Sequence, residues 1–170
     1  MRHLKNESFR VAADSSCLIG LAQIDLFRLL KELFSEVYIP DAVYDEVAIK
    51  GEGEAGSDDT ESAVKDGWII KKTINDEVAV NALTTILGKG EAEVIILCKE
   101  LELDCALIDE RTARNMAGLM NVNTMGVLGV IDLAIERGIP IDKKKVIAHL
   151  KDLGFRISDK LFKKIFPDSE

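Results

Sequence analysis

Short runs of consecutive apolar residues alternate along the chain with longer segments whose apolar positions recur at helical spacing. The first run, residues 9–13, is short, contains Val11 and stops at Asp14, the pattern of a buried strand opening into a loop. Leu18, Ile19, Leu21 and Ala22 then take helical spacing. Leu26, Phe27, Leu29, Leu30, Leu33 and Phe34 trace the apolar stripe of a second helix, for which Asp25 is the expected N-cap. A β-rich piece at 37–39 is stopped by Pro40, and Asp41 is expected to cap a helix running to Ile49. The pattern goes on to predict a helical turn at 62–66, a strand at 68–71, helices at 75–87 and 91–103, a strand at 105–108 and a helix at 111–120. Gly126 and Gly129 flank a tight segment before a helix at 130–137, which Gly138 and Pro140 end, and two amphipathic helices at 142–153 and 158–166 close the chain. Short apolar strands alternating with helices imply an α/β fold whose parallel sheet is covered on both faces.

Residues 51–61 (GEGEAGSDDTE) break the pattern. They are Gly-rich, acidic and nearly free of apolar residues, so they read as one mobile acidic loop inside a domain rather than as a boundary. A chain of 170 residues is the length of one domain. Its 47% apolar and 31% charged residues exclude intrinsic disorder, because enough apolar surface is present to offset the cost of ordering the backbone. The longest apolar runs fall far short of the roughly 20 residues needed to span a bilayer, and no membrane contact is expected. Cys17, Cys98 and Cys105 are too few and too irregularly spaced for a disulfide framework, which points to a reducing cytoplasm.

The net charge of −8 disfavours any protein that grips nucleic acid through a broad basic face. Its distribution is uneven, with a balance of −11 over residues 1–137 and +3 over residues 138–170. In a parallel sheet, ligands bind at the carboxyl ends of strands, and Asp14 and Asp109 both follow predicted strands. Glu46 lies in the helix after the second strand, and Glu91 and Glu93 open the helix that leads to Asp109. Carboxylates gathered from separate segments repel one another unless a cation neutralises them. An oxygen donor set without Cys or His favours Mg²⁺ or Mn²⁺. Each acid also has an ordinary structural role: Asp as cap or turn residue, Glu46 on a solvated helix face, Glu91 and Glu93 as complements to a helix dipole. Histidine chemistry has little to build on, since His3 and His149 accompany no recognisable nucleophile motif.

Taken together, these residues resemble a known superfamily. Val11-Ala12-Ala13-Asp14-Ser15-Ser16-Cys17-Leu18-Ile19 is similar to the opening strand and loop of PIN domains, in which an Asp is followed two residues later by Ser or Asn. Ile39-Pro40-Asp41-Ala42-Val43-Tyr44-Asp45-Glu46-Val47 resembles their second motif, where a Pro precedes a helix carrying an inward acid. Gly90-Glu91-Ala92-Glu93, Leu107-Ile108-Asp109-Glu110-Arg111, Gly126-Val127-Leu128-Gly129 and Leu153-Gly154-Phe155-Arg156-Ile157-Ser158 are similar to a largely prokaryotic branch of it, so the likeness covers residues 9–165.

The resemblance implies one three-layer α/β/α domain over residues 1–170, with a central parallel sheet of about four or five strands. It also implies a Mg²⁺- or Mn²⁺-dependent endoribonuclease acting on RNA, as in VapC-type toxins, with an antitoxin partner and a homodimer. Apolar positions between Leu18 and Phe34 would supply the dimer interface or the core. Carried over by position, Asp14 and Glu46 match the family's first two acids and Glu91 or Glu93 the third, Glu91 being favoured because it directly follows Gly90, while Asp109, a further candidate catalytic and metal-binding acid, sits where a Thr is common. Ser16 would hold a carboxylate or phosphate, or cap a helix, and Arg111 and Arg114 would hold a substrate phosphate. At the fourth motif Asp109-Glu110-Arg111 replaces the usual Thr-x-Asp, placing Arg111 where the last acid is expected. A catalytically silent PIN fold serving as a binding or regulatory module is the alternative.

Overall fold

β1 (Phe9–Ala13) lies at the centre of a five-stranded, all-parallel sheet in a computed structural model that describes residues 8–167. Its neighbours are β2 (Phe34–Pro40) on one side and β4 (Cys105–Leu107) on the other; β3 (Ile69–Lys72) and β5 (Thr124–Met125) form the edges. In register, Val11 sits beside Val37 and Cys105, and Ala12 beside Tyr38 and Ala106. The helices described are α1 (Ser15–Gln23), α2 (Leu29–Leu33), α3 (Asp41–Tyr44), α4 (Ser57–Lys65), α5 (Glu77–Leu83), α6 (Lys89–Glu100), α7 (Arg111–Leu119), α8 (Val127–Glu136), α9 (Lys143–Asp152) and α10 (Asp159–Ile165). A π-helical turn, Asp45–Ile49, continues α3. No helix among the described residues is long and apolar enough to cross a membrane. His3 lies outside the described residues.

Val11–Ala13 of β1 and Cys105–Leu107 of β4 are buried on both faces, which is why these stretches read as consecutive apolar residues rather than alternating ones. Ala12, Ala13 and Ala106 are fully buried, and α6 packs across β1, β2 and β4. Leu18, Leu21, Leu29, Leu30 and Leu33 are also buried, at 0–2% exposure. These positions belong to the chain's own core, so of the two uses expected for the apolar stretch between Leu18 and Phe34 the structure shows packing.

Three local expectations are corrected. Asp25 does not cap a helix: it adopts φ +58°, and its N–H donates to Ala22 O at 3.1 Å, ending α1 instead. Residues 57–61 are not loop but the first half of α4. Ser57, Thr60 and Ala63 recur at helical spacing and are buried at 0–1% exposure, a stripe of small, partly polar residues that hydropathy does not register. The helix starts from Gly56 (φ +86°), where a Cβ would lie 3.5 Å from the Ile19 and Ala22 atoms of α1. Finally, Thr124–Met125 adds an edge strand that the pattern does not predict, because two residues are too short to carry a period.

Candidate active site

Strand order reverses at β1: the chain moves from β1 to β2 and β3 on one side, then crosses to β4 and β5 on the other. Such a reversal leaves a crevice beyond the carboxyl ends of the two central strands. Asp14 lies there, its N–H donating to Leu107 O at 3.0 Å and so tying the end of β1 to the end of β4. A cleft of about 870 Å³ opens at this point. Its walls carry the carboxylates of Asp14, Glu46, Glu91, Asp109 and Glu110, while Lys89, Arg111 and Arg156 supply the positive groups.

Asp14 is only 3% exposed. Its side chain makes no capping bond to α1, so the carboxylate remains available to the cleft, steadied by Ser16 Oγ, which donates to Oδ2 at 3.2 Å. Burial pushes its carboxyl up to about 6, and the nearby charges of Glu91 and Glu46 act in the same direction; bonds from the Ser15 backbone and the Ser16 hydroxyl oppose the shift. Glu46 stands on the π-helical turn. Such turns are rare and are often found at functional sites, because the extra residue redirects a side chain. A Cβ at Gly90 would lie 3.3 Å from Glu46 Oε2 and 3.4 Å from Asp14 Oδ1, so both oxygens border the position that glycine leaves empty.

Glu91 and Glu93 take different roles. The Glu91 carboxylate lines the cleft and accepts from the Gly88 N–H at 3.1 Å, closing the first turn of α6. Partial burial raises its carboxyl pKa, helped by Glu110 and Glu46 and opposed by the Gly88 bond. Glu93 is buried, and its Oε2 accepts from the Ala42 N–H at 2.9 Å, anchoring the start of α3. It lines a separate small cavity, so the structure does not bring it to the cleft.

Asp109 reaches the cleft, but both of its oxygens already have donors. Oδ1 accepts from the Val127 N–H at 3.0 Å and Oδ2 from Cys17 Sγ at 3.2 Å. The carboxylate thereby fastens the start of α8 and the first turn of α1 to the end of β4. Gly126 leaves it room: a Cβ there would lie 2.5 Å from Asp109 Oδ1. Gly126→Ala is therefore expected to cost about 1–3 kcal/mol by displacing that carboxylate from its donors, seen as a lower urea midpoint with an unchanged m-value.

Arg111 opens α7 at the cleft, whereas Arg114, one turn later, lies beside Gly126 and outside the cleft wall. Sequence reading missed four contributors: Glu110, which caps α7 by accepting from the Ala113 N–H at 2.8 Å, and Lys89, Phe155 and Arg156, which line the cleft. The only signals available were Lys89 between two glycines and the Gly-Phe-Arg-Ile-Ser run, neither of which specifies a position in space. The three cysteines are free and buried, and burial pushes Cys98 and Cys105 up to about 12, leaving both thiols protonated.

The donor set suits a hard divalent cation: carboxylate oxygens, two of them bordering one position above Gly90, and a buried acid whose raised pKa would be relieved by a positive charge. Among the described residues no group of three or more His, Cys, Asp or Glu stands ready to hold a metal ion. Asp14 and Glu46 form a pair, and Glu91 is retained by its bond to Gly88.

The family model DUF3368, a PIN domain, matches residues 10–170. No curated protein matches the chain.

Proposed function

The chain belongs to the PIN-domain family, whose fold is a nuclease fold, and from that premise we propose that it is a metal-dependent endoribonuclease hydrolysing RNA phosphodiester bonds in the cleft beyond β1 and β4. The observation that carries the reading is the meeting of Asp14 and Glu46 over Gly90, at the reversal of strand order. Asp14, Glu46 and Glu91 would hold Mg²⁺ or Mn²⁺, which when bound lowers the pKa of water and neutralises charge developing on a phosphodiester. Ser16 orients Asp14 through its 3.2 Å bond. Asp109 keeps α8 and α1 in place rather than serving as a free ligand, and Arg111 offers its guanidinium to a backbone phosphate.

The assignment of Glu91 rather than Glu93 is tested by calorimetric titration with Mn²⁺. Glu91→Gln is expected to weaken Mn²⁺ binding at least tenfold, whereas Glu93→Gln leaves it within about twofold of the wild type and lowers thermal stability instead, since Ala42 N–H loses a charged acceptor. Reversal of that order refutes the ligand set.

A second reading, a catalytically silent binding module, is favoured by Arg111 in place of an acid and by the occupied oxygens of Asp109. It requires that Mn²⁺ give no heat that depends on Asp14 and that single-stranded RNA survive incubation with Mn²⁺ or Mg²⁺. Growth arrest on induction of the wild-type chain, absent with Asp14→Asn, would add the toxin role; sedimentation at twice the chain mass would add the homodimer.

A further inference from the structure

Carboxylates line much of the cleft, but part of its lining comes from the far end of the chain. Residues 155–158, between α9 and α10, line it together with Asp14 and Glu46. This segment is held at both ends of its approach. Ile147 and Leu150 on α9 are fully buried, and the turn after α9 closes through Gly154 (φ +86°) and the Phe155 N–H, which donates to Leu150 O at 3.0 Å. The Phe155 ring then fills the place of a side chain on α1: a Cβ at Gly20 would lie 2.5 Å from its Cζ. A glycine inside a helix costs about 1 kcal/mol relative to alanine, and the ring seated there accounts for its presence. Phe155 and Ile157 are half-buried against the core, whereas Arg156 between them is exposed at the cleft.

Arg156 forms no salt bridge among the described residues, although the same cleft holds five carboxylates. The basic character continues past it with exposed Lys160, Lys163 and Lys164 within α10. An exposed guanidinium without an ion pair, carried into an acidic cleft by a backbone anchored through Phe155, suits an anionic ligand. A phosphodiester is such a ligand, and the planar fork of arginine matches its two free oxygens. We propose that Arg156 is a substrate-binding residue that holds an RNA phosphate in the cleft, and that the seating of Phe155 on Gly20 positions it. The proposal rests on the nuclease reading above.

Steady-state cleavage of a single-stranded RNA with Mn²⁺ over a range of salt concentrations tests it. Arg156→Ala is expected to raise KM about tenfold, the scale of one charged hydrogen bond, with kcat changed less than about twofold. The dependence of log kcat/KM on log salt should become shallower by about 0.7, one phosphate contact on a single strand. Arg156→Lys should recover most of the loss. Gly20→Ala keeps every charge yet unseats Phe155; it should raise KM in the same direction, and the double variant should be no worse than Arg156→Ala alone. If the wild type cleaves and Arg156→Ala leaves KM and the salt slope unchanged, the inference is overturned and the nuclease reading stands. An equal loss in Arg156→Lys with a lowered Tm assigns Arg156 a structural role and also overturns it. Absence of cleavage by the wild type removes both.

Discussion

Asp14→Asn is expected to leave no more than about 1% of Mn²⁺-dependent RNA cleavage while making the metal-free protein more stable at pH 7. The loss follows from position: Asp14 is buried at the meeting of β1 and β4 with its carboxylate directed to the cleft and shared with no helix cap. Removing outer partners of a metal ligand commonly costs 10–100-fold, so removing a ligand itself should cost at least about 100-fold. The stability gain follows from the raised pKa of about 6, against an ordinary value of 3.8. An acid with a raised folded pKa binds its proton more tightly in the native state, so stability falls as pH rises through the window from about 4 to about 6, and the full penalty is present above it. Two units correspond to about 3 kcal/mol, which for a chain of this size is a Tm rise on the order of 5 °C or more. The amide carries no such penalty. Melting curves in EDTA should show the variant ahead of the wild type at pH 7 and the two converging near pH 4. A variant that melts below the wild type at pH 7, or cleaves RNA as fast, contradicts the assignment of Asp14 as an ionised ligand held at a cost to the fold.

Leu107→Ala should have the largest effect on stability. The side chain is fully buried on β4, and its carbonyl receives the Asp14 N–H. Truncation in so closed a setting leaves a cavity that neighbouring strands cannot fill, at about 2–5 kcal/mol, equivalent to a Tm loss of roughly 10 °C. Leu119→Ala, the same substitution at an 80% exposed position in α7, should stay within about 0.5 kcal/mol. Because β4 leads into Asp109 and holds the Asp14 backbone, residual cleavage by Leu107→Ala at a temperature where it is still folded should fall as well. Denaturant titrations of both variants, followed by activity at low temperature, separate the two effects. Equal stability of the leucine variants would remove the sheet centre as the chief source of cohesion.

The strands that build the site were legible because their signal is local. Phe9–Ala13 is a mostly apolar run ended by Asp14, and the strand sits where that run predicts. The helices 111–120 and 142–153 were legible for the same reason, their observed ends lying within a residue or two. Residues 57–61 were not, since the stripe that docks α4 is Ser57, Thr60 and Ala63, whose burial depends on what α1 presents to them. Asp25 reads equally well as the cap of a following helix and as the end of a preceding one; only the packing of α2 decides, and it decides for the second.

The chain's acids were therefore visible, but their duties were not. By itself the sequence determined that strands and helices alternate, that the sheet is parallel, and that acids stand at strand ends in the order of a PIN domain, since periodicity and strand termination are properties of neighbouring residues. Glu91 and Glu93 look interchangeable in one dimension, yet two residues on a helix are about 200° apart, and so one faces the cleft while the other holds Ala42. Asp109 reads as one more acid at a strand end, and only the fold shows that its Oδ1 also accepts from the Val127 N–H at the start of α8. Arg156, remote in sequence from every acid, reaches the cleft because a phenylalanine one residue earlier fits where Gly20 has no side chain. These outcomes were decided by tertiary structure alone, because each depends on which distant atom occupies the adjoining space.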